Sequence, residues 1–194
     1  MTIAGVVLAA GAGRRMGRPK ALLRWQGEPL VHRAARVALE AGLAPVVVVL
    51  GAAAREARQA VADLPVEVCV NRRWQEGMGT SVAVGVSALP EKVEAAVFLL
   101  VDQPFVTPEV IRAMVAHHRA TGAPVVAPEV AGRRTNPVLF SATLFPALRR
   151  LQGDVGGRAL FARYPPALVP WPDRRLAVDW DRPEDVLLWK EGKS

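Results

Sequence analysis

The sequence predicts an α/β fold in one domain spanning residues 1–194: a doubly wound, mostly parallel sheet. Three observations predict it. Apolar runs without polar alternation (Ile3–Ala9, Pro45–Leu50, Ala95–Val101) read as central strands covered on both faces. Segments with helical spacing separate them, as crossover connections between parallel strands require. A glycine-rich loop follows the first run directly, and ligands gather at that end of the strands in such sheets.

The elements follow in order. After the first strand, Glu28-Pro29 opens a helix through Leu39, with Leu30, Ala34, Val37 and Ala38 on one face and Gly42 as its stop. Strand Pro45–Leu50, helix Ala52–Ala62 and strand Val66–Val70 come next, then a weak helix Thr80–Leu89 and the strand Ala95–Val101. Thr107-Pro108-Glu109 reads as a helix start: a threonine cap, proline in the first turn, and an acid at the positive helix end. That helix runs to about Ala120. Strands near Pro124–Ala127 and Pro137–Phe140, helices near Ala142–Leu151 and Gly157–Ala162, strand pieces at Ala167–Val169 and Leu176–Val178, and a helix Pro183–Trp189 complete the reading.

Composition narrows the function classes. No apolar run approaches the roughly 20 residues of a membrane span. The start lacks the basic region of a signal peptide. A single cysteine, Cys69, excludes an internal disulfide and makes the cytoplasm the expected compartment. The net charge of +7 suggests an anionic partner, but basic residues come in isolated pairs rather than runs. The five tryptophans are not interleaved with them either. The charge therefore favours a phosphorylated small molecule over nucleic acid or a membrane.

The first loop, Leu8-Ala9-Ala10-Gly11-Ala12-Gly13-Arg14-Arg15-Met16-Gly17-Arg18-Pro19-Lys20, defines the chemistry to look for. Its glycines at 11, 13 and 17 are one residue too long for a dinucleotide fingerprint, and Leu50 is followed by Gly51 and alanines rather than a ribose-binding acid. A P-loop is excluded because Lys20 lies between Pro19 and Ala21. A strand-exit loop remains, whose N–H groups can converge on a polyphosphate beside Arg14 or Arg15 and Lys20; a plain glycine turn with solvated arginines is the alternative. At the end of the fourth strand stands Asp102, on the same sheet edge, placed to hold Mg²⁺ against phosphate oxygens. Asp179 and Asp181 are further candidate metal ligands, although Asp181 can instead cap the last helix with Glu184 completing a capping box. His32, His117 and His118 show no catalytic or metal-binding spacing.

Taken together, these elements resemble the nucleotidyltransferases that make molybdenum-cofactor dinucleotides, in particular the cytidylyltransferase branch of the MobA-like proteins. Beyond the loop, the resemblance rests on Gly77-Met78-Gly79-Thr80-Ser81, Val101-Asp102-Gln103-Pro104, Asn136-Pro137-Val138-Leu139-Phe140, Gly153-Asp154-Val155-Gly156-Gly157-Arg158 and Asp179-Trp180-Asp181-Arg182-Pro183-Glu184-Asp185, in the family's order. Arg182 departs from the family's usual threonine, which weakens Asp181 as a metal ligand relative to Asp179.

The resemblance implies a Rossmann-like nucleotidyltransferase with Mg²⁺ as cofactor, transferring CMP from CTP to the terminal phosphate of molybdopterin. Ala10, where the guanylyl branch has glycine, favours CTP over GTP. It implies Arg15, Lys20 and Asp102 as catalytic, and Leu8, Ala9, Ala10, Gly11, Gly13, Asn71, Gly77, Gly79, Thr80 and Ser81 as nucleotide-binding. Asn136, Asp154 and Arg158 would face the second substrate. The enzyme would contact molybdoenzymes or their chaperones only transiently. Three alternatives stay open: guanylyl transfer, transfer to a sugar or polyol phosphate, and a non-catalytic cofactor carrier.

Overall fold

The structure is a computed structural model and describes residues 2–190. In chain order the strands are β1 (Thr2–Ala9), β2 (Arg24–Trp25), β3 (Glu28–Pro29), β4 (Val46–Leu50), β5 (Glu67–Val70), β6 (Val93–Leu100), β7 (Val125–Val130), β8 (Arg133–Arg134), β9 (Val138–Ser141) and β10 (Ala167–Pro170). The α-helices are α1 (Leu30–Glu40), α2 (Ala54–Ala60), α3 (Met78–Ser87), α4 (Pro108–Thr121), α5 (Phe145–Leu148) and α6 (Pro183–Lys190). The main sheet has the order β10-β7-β9-β6-β1-β4-β5, with β8 paired to β7. It is mostly parallel: β6, β1, β4 and β5 run together, while β9 runs against both β6 and β7.

Every residue of β4, and all of β1 after Thr2, is buried, as the uninterrupted apolar runs predict. Alternation sorts their side chains into two cores. Val7, Val48 and Val97 pack with Val31 of α1 and Ile111 and Met114 of α4. Val6, Val47 and Phe98 pack on the opposite face with Val82 and Val86 of α3 and Leu148 of α5. A third cluster of Met16, Leu23, Leu30, Trp180 and Val186 fastens the first loop to the carboxyl-terminal segment. Among the described residues no helix is long and apolar enough to cross a membrane.

Several expected elements are shorter or different. Glu28-Pro29 pairs with Arg24–Trp25 in a hairpin, turned by Gln26 (φ 51°) and Gly27 (φ 85°), and Pro29 then stands at the N-cap of α1. The Ala142–Leu151 helix reduces to a 3₁₀ turn and the four residues of α5, and Gly157–Ala162 to the 3₁₀ turn Gly157–Leu160. Leu176–Val178 is not a strand: Asp173 accepts a hydrogen bond from the Arg175 N–H and starts a 3₁₀ turn, Arg174–Ala177. Thr107 stands at the N-cap of α4 without capping its backbone; its hydroxyl bonds the Glu109 carboxylate instead.

The β2–β3 hairpin is locked to α1 by charge. Glu28 accepts two hydrogen bonds from Arg36, at 2.8 and 2.9 Å, and one of its oxygens lies 2.6 Å from Nδ1 of His32. These bonds, led by Arg36, hold its pKa down at about 2 against the usual 4.5. Because the unfolded chain takes up this proton first, the stabilisation is complete above pH 4.5 and is lost as pH falls towards 2. In urea titrations at successive pH values, Glu28→Gln should therefore lower stability at neutral pH and flatten its decline between those limits.

Candidate functional site

The site is assembled where β1 and β6 end. After β1 the chain turns through Gly13 (φ 62°) into the 3₁₀ turn Arg14–Met16, which Gly17 (φ 74°) closes. A Cβ on Gly13 would lie 2.0 Å from the Arg18 carbonyl oxygen, so only glycine lets the loop fold back on itself. Met16 anchors the loop in the third cluster, while Arg14 and Arg15 stay exposed. A second 3₁₀ turn, Lys20–Leu22, carries Lys20 under the loop.

Lys20 Nζ donates to Asp102 Oδ2 at 2.8 Å and to Asp181 Oδ1 at 2.5 Å. Burial alone would lower the lysine's pKa; the charges and hydrogen bonds of Asp102 and Asp181 together outweigh it and raise it above 10.5. The Lys20 hydrogen bond keeps the Asp181 carboxyl below its ordinary range, and Arg15 stands 4.0 Å from the same carboxylate. Asp181 therefore faces the site and does not cap α6. That role falls to Asp185, whose Oδ2 accepts from the N–H groups of Asp181 and Arg182, both at 2.8 Å; Glu184 takes no part in it. A backbone hydrogen bond from Trp180 N–H to the Asp102 carbonyl, 2.8 Å, ties the two aspartate-bearing segments together.

Asp179 stands outside the Lys20 triad and is more exposed than Asp102 or Asp181. Its Oδ1 accepts from Gln103 Nε2 at 2.7 Å. Its pKa is raised, first by burial and then by the nearby charges of Asp102 and Asp181. Among the described residues no three His, Cys, Asp or Glu side chains form a metal-ligating group. The chemistry of one donor nevertheless fits a cation: Asp102 Oδ1 is buried with no hydrogen-bond partner.

The opposite wall is built by close backbone approach. Gly79 N–H donates to the Gly153 carbonyl at 2.8 Å, and Cβ atoms on Gly77 and Gly79 would lie 2.3 and 2.7 Å from the backbone of Gly153 and Gln152. Asn71 is consumed in holding this turn: its Nδ2 donates to the Thr80 and Ser81 hydroxyls and its Oδ1 accepts from Arg73 N–H. Thr80 in turn donates to the Gly77 carbonyl.

Between the walls lies an open cavity of about 510 Å³. Leu8, Ala10, Gly11, Gly13, Arg15 and Lys20 line one side; Gly77, Ser81, Asp102, Asp154 and Asp181 line the others. Ala9, Asn71, Gly79 and Thr80 shape it from behind: Ala9 packs in the core and the other three hold the turn. A second cavity of about 300 Å³ adjoins it, sharing Leu8, Met78, Leu100 and Asp154. Asn136 and Arg158 line this second space together with Phe98, Phe140 and Phe161. Sequence reasoning missed Trp74, which lines the first cavity, whereas Met78, also in its lining, belongs to the turn from Gly77 to Ser81 that the resemblance marks out.

A glycine loop, a lysine and an aspartate thus share one edge of a parallel sheet, where ligands bind in α/β folds, and a family match makes this a nucleotidyltransferase fold. Residues 5–168 match the MobA-like NTP transferase domain, and the chain belongs to that family. It is 33% identical to a probable molybdenum cofactor guanylyltransferase of Opitutus terrae, over 94% of this chain and 92% of that one. It is also 41% identical to nicotine blue oxidoreductase of Paenarthrobacter nicotinovorans, over 86% and 84% of the two chains. The crystal structure of Rv0371c from Mycobacterium tuberculosis superposes with a TM-score of 0.86 at 29% identity over 99% of both chains, and that protein has also been solved with manganese.

The tight seam between residues 77–79 and 152–154 yields a test. Gly79→Ala places a methyl 2.7 Å from the Gln152 carbonyl oxygen and should cost about 1–3 kcal/mol of stability in urea unfolding. Nucleotide affinity, read by fluorescence of Trp74 at the cavity wall, should weaken with it.

Proposed function

We propose that the protein transfers CMP from CTP to the terminal phosphate of molybdopterin, with Mg²⁺ as cofactor. The observation that carries this reading is the pair of adjoining cavities: one walled by the glycine loop, Lys20 and Asp102, the other by aromatic rings, Asn136 and arginine. A nucleotide in the first brings its phosphates to Lys20 and Arg15, and an acceptor in the second approaches across the shared wall. The choice of CTP rests on the resemblance at Ala10, which lines this cavity and stands where the guanylyl branch has glycine.

The acceptor phosphate monoester is already anionic near neutral pH, its second pKa being about 6, so no general base is required. Its oxygen forms a bond to the α-phosphorus of CTP; the α–β bridging P–O bond breaks, and pyrophosphate leaves with the electron pair. The barrier is electrostatic, since an anion attacks an anion and charge grows on the leaving group. Lys20 and Arg15 neutralise that charge and align the phosphates. Asp102, through its free Oδ1, with Asp181 beside it, would hold the divalent cation, which supplies further neutralisation of the phosphate oxygens.

Guanylyl transfer is a second reading, favoured by the Opitutus terrae relative. Hydride transfer is a third, favoured by the nicotine blue oxidoreductase relative, although Gly51–Ala54 after β4 offers no acid for a ribose hydroxyl. Pyrophosphate release with Mg²⁺ and CTP or GTP, with and without molybdenum-loaded molybdopterin, separates the first two; oxidation of NADH or NADPH reports the third. Pterin-dependent release with CTP is the expected result, and release with GTP alone would reassign the base. Asp102→Asn should lower this turnover about a hundred- to thousandfold; the thermal midpoint should fall, because Lys20 loses one of its two countercharges, while circular dichroism below the transition stays that of wild type. Retained Mg²⁺-dependent turnover in that variant would remove Asp102 from the metal site.

A further inference from the structure

An exposed guanidinium at the second cavity, which Asp154 and Arg158 also line, packs on an aromatic ring rather than on a carboxylate. The guanidinium of Arg134 lies 4.2 Å from the centroid of the Phe161 ring. Phe161 is parallel to Phe140 (8°, centroids 6.1 Å apart), and Phe98 meets Phe140 edge-on. The three rings give the cavity an aromatic lining, with Phe140 and Phe161 parallel. Arg15, Arg33, Arg36, Arg73, Arg112 and Arg175 all have carboxylate partners within 4.0 Å. Among the described residues Arg134, like several other arginines, has none, although Glu129 stands directly across from it in the β7–β8 pairing; what sets it apart is that its guanidinium lies over a ring that lines a cavity.

The difference in partner has a chemical consequence. A carboxylate fixes a guanidinium by cancelling its charge and consuming its N–H donors. An aromatic face fixes it through the ring quadrupole and leaves the N–H edge and the charge available. The backbone beneath is equally fixed: β8 is joined to β7 by the two-residue turn Ala131-Gly132 (φ 50° and 74°), whose twist matches that of the paired strands. Arg134 is thus a preorganised anion receptor at the edge of an aromatic cavity.

We propose that Arg134 is a specificity-determining residue for the acceptor, selecting a flat heteroaromatic molecule that carries an anionic group over its neutral counterpart. The inference rests on the second cavity being the acceptor site, but not on the identity of the nucleotide or on turnover.

The test uses two fluorescent probes, pterin-6-carboxylate and the neutral 6-hydroxymethylpterin, titrated into wild-type protein, Arg134→Gln and Arg134→Lys without nucleotide. Wild type should favour the carboxylate by about tenfold or more, the scale of a hydrogen bond to a charged group. Arg134→Gln should bring the ratio close to one with the neutral probe's affinity unchanged. Arg134→Lys should fall between, keeping the charge and losing the planar fork. A preference that survives in Arg134→Gln, an equal loss of both probes, or no binding of either probe to wild type at millimolar concentration would each overturn the inference. The two proposals fail separately. Absence of pyrophosphate release with intact Arg134-dependent selectivity removes nucleotidyl transfer alone. Pterin-dependent release with the same acceptor KM in Arg134→Gln removes the role of Arg134 alone.

Discussion

The ammonium of Lys20, pressed between carboxylates 82 and 161 positions further along the chain, is the contact on which the site depends. A half-buried lysine is costly without a countercharge, and two aspartates brought this close repel one another without a cation between them. The triad therefore holds together the loop after β1, the end of β6 and the segment before α6. The apolar cluster around Met16 and Trp180 and the Trp180–Asp102 backbone bond lie directly beneath, so packing and charge fix the same junction.

The two cavities follow from how closely backbone segments approach. Glycines at 77 and 79 let the start of α3 lie against residues 152–154, and this seam aims Met78 and Asp154 into the wall between the cavities. Asn71 spends both of its amide donors and one oxygen lone pair on the same turn. Residues that resemble ligand-binding ones in a motif can thus act by building the wall; their hydrogen-bond partners distinguish the two roles.

The strands of the parallel core were legible because burial on both faces leaves a continuous apolar run, and Asp102 was legible because it ends one. The hairpins and the short helices were not. Gln26-Gly27 and Ala131-Gly132 turn the chain with positive φ at a non-glycine residue, which carries little sequence signal, and the 142–162 region is shaped by contacts with Phe140 and Met78 rather than by its own periodicity. In the tail, Asp181 and Glu184 match a capping box, yet Asp185 makes the cap and frees Asp181 for Lys20. Local pattern could not separate these outcomes, because the deciding partner is far away in sequence. Arg134 was invisible for the same reason: its partner Phe161 comes from a different loop.

Lys20 also occupies the charge environment that, in the proposed reaction, Asp102 and Asp181 offer to a divalent cation. The most direct test is the thermal midpoint of wild type and Lys20→Met, each with and without millimolar Mg²⁺ and no nucleotide. Removing the ammonium should lower the midpoint, and Mg²⁺ should then raise it by more than it raises that of wild type, because a cation that binds the folded state stabilises it by mass action. An unchanged midpoint in Lys20→Met, with no greater response to Mg²⁺, would contradict the view that Lys20 is the resident countercharge of a carboxylate pair prepared for a metal.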